Sequence, residues 1–165
     1  MKNGQVEAWA KAQMFVGQEA FLLDEKLWDE WLDLYLPDCE FWLPAWGDDG
    51  ELTQDPQSQI SMIYYANRGG LEDRVFRIRT GTSAASTPPL RTNHLFSVLK
   101  VEEVEGGYEV RTNWLTESFR EDQCLSYRGQ AVYRLVEQEG QLKIASKRTV
   151  VLDPITDTVL DFYTI

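Results

Sequence analysis

Residues 106–114 read Gly-Gly-Tyr-Glu-Val-Arg-Thr-Asn-Trp, and this stretch decides the fold. Gly106-Gly107 is a two-residue hairpin signal. Beyond it, Tyr108, Val110 and Trp114 fall on one face and Glu109, Arg111 and Asn113 on the other, the period of two that a half-buried strand requires. The alternation returns at Tyr127, Gly129, Ala131, Tyr133 and Leu135, with Arg128, Gln130 and Arg134 opposite. Glu139-Gly140 marks another turn. Leu142 to Leu152 reads as a further strand, and after an Asp153-Pro154 break Val159 to Thr164 reads as a last one. From Arg91 onward the chain is therefore an antiparallel meander.

The first half has a different period. Over residues 5–23, Val6, Trp9, Ala10, Met14, Val16, Ala20 and Leu23 predict a helix with a broad apolar stripe. Asp24 reads as the cap of a second helix from about Glu25, with Leu27, Trp28, Trp31, Leu32, Leu34 and Tyr35 as its apolar set and Pro37 as its stop. Cys39, Phe41 and Leu43 alternate as a short strand ending at Pro44. Residues 47–58 are a polar loop, and Ile60 to Tyr65 is apolar without a clear period. Gly69-Gly70 introduces a short helix over Leu71–Arg79, on which Leu71, Val75 and Ile78 share a face and Asp73 and Arg77 stand as an i,i+4 pair. Residues 80–90 read as a surface loop. Helices first and a meander after is an α+β plan. N-terminal helices packed on a strongly curved, mostly antiparallel sheet give the cystatin-like cone of nuclear transport factor 2, here as one domain over residues 1–165.

Composition narrows the function. Net charge is −11 and pI about 4.5, which disfavours phosphate backbones and anionic membrane surfaces. No apolar run reaches the ~18 residues of a membrane span, and the first residues lack the apolar core of a signal peptide. Two cysteines far apart, Cys39 and Cys124, read as reduced, mostly buried thiols of a cytoplasmic protein. His94 is the one histidine. A Rieske cluster takes two Cys and two His, a facial-triad iron two His and a carboxylate, and catalytic zinc a comparable set. This chain supplies none of them by itself, so no catalytic, cofactor-binding or metal residue is assigned.

Other residues invite a role, each beside a plainer reading. His94, with Tyr64 and Tyr65, could line a small-molecule pocket; core packing and hydrogen bonding explain the same residues. Arg68, Arg74, Arg77, Arg79 and Arg91 crowd one stretch of an acidic chain. They form either a partner-facing surface or a solvated face paired with Glu72 and Asp73. Trp42, out of phase with Phe41 and Leu43, and Trp46 are the tryptophans assigned to partner contact. Asp48, Asp49, Glu51 and Asp55 do not have the spacing of an EF-hand loop and read as solvated.

A resemblance spans nearly the whole chain. Ile63-Tyr64-Tyr65 through Arg79, with LEDRVFRIRT at 71–80, then Pro88-Pro89-Leu90-Arg91-Thr92-Asn93-His94, is similar to the small (beta) subunit of aromatic-ring-hydroxylating dioxygenases. The similarity is greatest to the benzoate and anthranilate group. EAFLLDEKLWDEWLDLYLPDCEFWLP at 19–44 and VLDFYTI at 159–165 fit as well. The resemblance implies the cone fold and an oxidoreductase complex that cis-dihydroxylates an aromatic acid during catabolism. It implies a large (alpha) subunit carrying a Rieske 2Fe-2S cluster and mononuclear Fe(II), with electrons from NADH through a reductase. It further implies an alpha3beta3 hetero-hexamer with the beta subunits associated as a trimer, and a structural, non-catalytic role for this chain. The rival from another class is a stand-alone, metal-free isomerase or dehydratase of the same fold using His94 with Tyr64 and Tyr65, or a ligand-binding module. It requires an open cavity, and large side chains at Phe96, Trp114 and Tyr133 filling that space would exclude it.

Overall fold

A computed structural model of the chain describes residues 3–81, 88–120, 122–153 and 160–165. Helix α1 (Asn3–Asp24) is followed by the short α2 (Trp28–Leu32), strands β1 (Tyr35–Pro44) and β2 (Ser61–Tyr65), and helix α3 (Arg68–Arg79). Strands β3 (Arg91–Val104), β4 (Gly107–Arg120), β5 (Gln123–Gln138) and β6 (Gln141–Val151) complete the secondary structure with a 3-10 turn at Phe162–Thr164. The six strands form one sheet in the order β2-β1-β6-β5-β4-β3. All neighbours are antiparallel except β1 and β6. Register slips at Val98/Lys100 and at Arg134/Leu135, the bulges by which long strands bend. The α+β cone expected from the sequence is the fold observed.

The meander follows its alternation closely. Tyr127, Ala131, Tyr133 and Leu135 are buried, as is Val110 on β4. At the β5–β6 turn both Glu139 and Gly140 take positive φ, the geometry of a type I′ hairpin. The β3–β4 turn is Glu105-Gly106, one residue earlier than Gly106-Gly107, because Gly107 already pairs with Val104. Gly129 stands opposite Trp114, and a Cβ there would lie 2.5 Å from the indole, so the glycine lets that ring lie flat across the sheet.

The helical half departs from expectation in several places. The buried stripe of α1 is Ala8, Ala12, Phe15, Val16, Glu19, Leu22 and Leu23, while Val6 and Met14 are 48% and 76% exposed. Asp24 does not cap a second helix. It ends α1, which closes with the Leu27 amide on the Leu22 carbonyl and Lys26 at φ 55°, a Schellman turn that reverses the chain. Leu27 precedes α2 with no side-chain cap. Helix α2 is only five residues long, because Tyr35 already pairs with Ile144 of β6. Pro37 and Asp38 are exposed where the β1–β6 register breaks, so the proline sits inside β1 without removing a ladder bond.

The Ile60–Tyr65 run is a strand. Helix α3 starts at Arg68 rather than Leu71, with the Asn67 side chain accepting from the Gly69 amide. Its i,i+4 ion pair is Arg68–Glu72, not Asp73–Arg77. The C-terminus is not a strand. Asp161 and Thr164 form a capping box, and Phe162 stacks on Trp31 at 4.4 Å. Cys39 is buried as expected, but Cys124 is exposed. Much of the loop tip expected within 80–90, Pro154 of the break, Val159 of the last strand, and Met1 and Lys2 lie outside the described residues.

Candidate functional site

The space between α1 and the sheet holds a polar cluster built on the one acid of the α1 stripe. Glu19 accepts hydrogen bonds from the Tyr35 hydroxyl at 2.6 Å, the Tyr133 hydroxyl at 2.9 Å and Lys147 Nζ at 3.1 Å. Lys147 also lies over the rings of Tyr133 and Phe41. Burial by itself would raise the carboxyl pKa, but Lys147 and the two tyrosines outweigh it and hold Glu19 below its ordinary value. Burial first, and then Glu19, push both phenols well above theirs. Each oxygen of the acid has a donor: Oε1 takes Tyr35 and Lys147, and Oε2 takes Tyr133.

Beside it stands a second constellation at the end of α1. Asp24 Oδ1 is 2.6 Å from His94 Nδ1 and accepts from the Thr92 hydroxyl at 2.9 Å, while Oδ2 accepts from the His94 amide at 3.0 Å. The Schellman turn aims this carboxylate at the edge strand β3. Burial opposes the charge on Asp24, and the His94 and Thr92 bonds overcome it, so its pKa lies below the ordinary range. A histidine oriented by a carboxylate is the arrangement of a general base. The room in front of it is missing. The cavity bordered by His94, Phe96, Trp114, Tyr133, Glu19 and Lys147 holds only about 30 Å³, roughly one water molecule.

Tyr64 and Tyr65 do not join this site. They lie on β2, at the opposite edge of the sheet from the β3 strand that carries His94. Five strand spacings separate them, roughly 24 Å along the sheet. Tyr64 donates to Glu40 and accepts from Gln57, and Tyr65 packs over Gly70. The His94–Tyr64–Tyr65 pocket is therefore not formed, and Phe96, Trp114 and Tyr133 fill the interior that a stand-alone enzyme would need.

The partner-facing candidates divide. Arg74 is tied to Asp161 through Nε at 2.7 Å, Arg68 reaches Glu72 and the Tyr35 carbonyl, and Arg79 reaches Asp29. Arg77 and Arg91 are exposed, with no ion pair among the described residues. Trp42 turns to the face opposite Phe41 and Leu43, as its phase indicates, yet it is buried there, bonded to Ser61 and stacked under Arg148. The Trp46 indole donates to the Val151 carbonyl. On the surface an apolar groove of about 180 Å³ runs between Leu23, Trp28, Ile78, Leu90 and Tyr163.

The donor set does not fit an iron centre of either implied kind. One histidine cannot satisfy a Rieske cluster or a facial triad, and burial pushes the Cys39 thiol up to about 11. Among the described residues no three His, Cys, Asp or Glu side chains converge. Among those residues, too, no helix is long and apolar enough to cross a membrane.

Sequence reasoning missed both Glu19 and Asp24. Glu19 was detectable: it lies four residues from both Phe15 and Leu23, an acid on an apolar stripe. Asp24 was not, because its role depends on the chain reversal that follows it.

Comparison with known proteins agrees with this picture. A family model described as the ring hydroxylating beta subunit matches residues 18–157. The chain is 45% identical over 150 residues to the benzoate 1,2-dioxygenase subunit beta of Acinetobacter baylyi, covering 90% of this chain and 89% of that one. It is 41% identical to the anthranilate 1,2-dioxygenase small subunit of the same organism, covering 90% and 92%. The crystal structure of the beta subunit of benzoate 1,2-dioxygenase from Burkholderia mallei superposes with a TM-score of 0.78 at 41% identity, covering 94% of this chain and 96% of that one.

Proposed function

This chain belongs to the ring hydroxylating beta subunit family, and from that premise we propose that it is the supporting subunit of an aromatic-ring-hydroxylating dioxygenase acting on a benzoate- or anthranilate-like acid. The observation that carries the supporting role is the filled interior. With about 30 Å³ left beneath α1, no aromatic acid can enter the cone. The oxidoreductase chemistry then belongs to a large subunit that carries the Rieske cluster and the mononuclear iron and receives electrons from NADH through a reductase. The small subunits associate as a trimer and brace three large subunits in an alpha3beta3 assembly in the cytoplasm. The free thiols of Cys39 and Cys124 support that compartment. The whole of residues 1–165 acts as one domain in this assembly. Arg77 and Arg91, the exposed arginines without ion pairs among the described residues, face the partner.

Co-expression with a benzoate- or anthranilate-type large subunit tests the reading. The expected outcome is a co-purified complex whose mass matches three of each chain, and a large subunit that loses soluble yield and ring dihydroxylation when this chain is left out. A large subunit that is fully active and correctly assembled without it would overturn the proposal.

A further inference from the structure

We propose that His94 Nε2 and Trp114 Nε1 form a binding site for one compact molecule of water size that both donates and accepts a hydrogen bond, between α1 and the sheet. The His94 side chain is 8% exposed. Its other nitrogen, Nδ1, faces Asp24 at 2.6 Å, and that carboxylate is itself held by the Thr92 hydroxyl and the His94 amide. An acceptor-only carboxylate keeps the ring proton on Nδ1 in the neutral ring and leaves the Nε2 lone pair directed away from it. Neither Nε2 nor Trp114 Nε1 has a hydrogen-bond partner among the described residues. Both residues border the same cavity of about 30 Å³.

One nitrogen is an acceptor and the other a donor. A molecule that gives a proton to the first and takes one from the second satisfies both, and water does so at that volume. An anion would meet the Nε2 lone pair and the nearby Glu19 carboxylate. The charged neighbours already have partners: Glu19 accepts from Tyr35, Tyr133 and Lys147, Lys147 also lies over the rings of Phe41 and Tyr133, and Asp24 accepts from the His94 ring and amide and from Thr92. Phe96 is the wall that keeps the site small. Its ring packs against α1 at Gly17, where an added Cβ would stand 3.5 Å from Phe96 Cζ. Cutting back that ring converts the water-sized site into one for a phenolic hydroxyl, with the ligand ring where Phe96 was.

The single histidine makes the test unambiguous. In the full chain labelled with 15N-histidine, the expected spectrum of the neutral ring is that of the Nδ1-protonated tautomer. Its Nε2 is hydrogen-bonded, and a long-lived water contact appears at the Trp114 indole N–H. The Nε2-protonated tautomer, or an indole N–H with no bound-water contact, overturns the proposal. In Phe96→Ala, phenol is expected to bind about five-fold more tightly than toluene, the worth of one net hydrogen bond. That preference is expected to vanish in Phe96→Ala/His94→Leu. Equal binding, or binding of neither compound, overturns the proposal; if Phe96→Ala does not fold, the spectrum of the unaltered chain decides.

Discussion

Lys147 Nζ lies 3.1 Å from Glu19 Oε1, with the two side chains only 4% and 3% exposed. An ion pair this deep gains stability only while both members are present, since desolvation of either charge is costly. Lys147→Met therefore strands a buried carboxylate and is expected to cost about 3–5 kcal/mol in urea unfolding. Adding Glu19→Gln to it is expected to recover much of that loss, because the buried charge is gone, one tyrosine can still donate to the amide oxygen and the other can accept from the amide N–H. Strictly additive losses in the double variant would show that the pair is not coupled.

Two carboxylates at α1 set the acid limit. Glu19 and Asp24 both have folded pKa values below their ordinary ones. A group depressed in this way contributes stability above its unfolded pKa, about 4 for a carboxyl, and loses the contribution as pH falls through the folded value. The unaltered chain is thus expected to lose stability steadily below about pH 4. In Lys147→Met burial acts on Glu19 without its main counter-charge and raises its folded pKa, so the variant is expected to gain stability as pH falls from about 6 to about 4, where the unaltered chain changes little. Chemical denaturation at a series of pH values measures it, and parallel slopes in the two proteins would refute the assignment.

At the alkaline end the tyrosines report. Burial, then Glu19, raise the Tyr35 and Tyr133 pKa values well above the ordinary one. Groups raised in this way stabilise the fold below the unfolded tyrosine pKa near 10 and lose that contribution as pH climbs toward the folded value. In an ultraviolet titration these two phenols are expected to ionise only as the chain unfolds. Tyr35→Phe and Tyr133→Phe should each remove one late step; early, reversible ionisation of either would contradict the buried cluster.

What could be read beforehand follows from the range of the interactions. The strands β4, β5 and β6 were legible because one face is buried and a period of two leaves no other register. The α2 helix was over-read because Leu34 and Tyr35 are apolar at helical spacing, yet the β6 edge claims them for the sheet. The C-terminal Asp161-Phe162-Tyr163-Thr164 looked like a strand by residue type, while its local capping box and the ring of Trp31, far away in sequence, fold it into a turn. The pocket assignment failed for a topological reason. His94 and Tyr64 each sit on a strand with the right character, but no local pattern says that β2 and β3 are opposite edges of one sheet. Membership of the family was legible because it is carried by contiguous stretches such as residues 71–80.

The C-terminal turn should behave as a keystone. Phe162 stacks on Trp31 and meets Trp28 edge-on at 5.6 Å, and Asp161 anchors the segment to Arg74 of α3. Phe162→Ala is expected to cost about 3–5 kcal/mol, the usual price of a large buried ring. Asp161→Ala is expected to be costly as well, since it removes the cap and leaves the partly buried Arg74 without its carboxylate. Thermal unfolding of each variant checks this, and losses under about 1 kcal/mol would mean that the turn is not part of the cooperative core.

The division among the arginines and tryptophans gives the last expectation. Arg77 and Arg91 are exposed, whereas Trp42 is buried against Ser61 and Arg148. If the arginine face meets the large subunit, Arg77→Glu/Arg91→Glu should leave the melting temperature unchanged. It should weaken assembly about ten-fold, most strongly at low salt, because charges at the rim of an interface act on encounter and are screened. Trp42→Ala should instead lower the stability of the chain itself by about 3 kcal/mol before any partner is added. Co-purification with the large subunit at two salt concentrations, beside unfolding of the isolated variants, separates these effects. A charge-reversed chain that assembles normally, beside a stable Trp42→Ala that fails to assemble, would move the contact face from α3 to the β1–β2 edge.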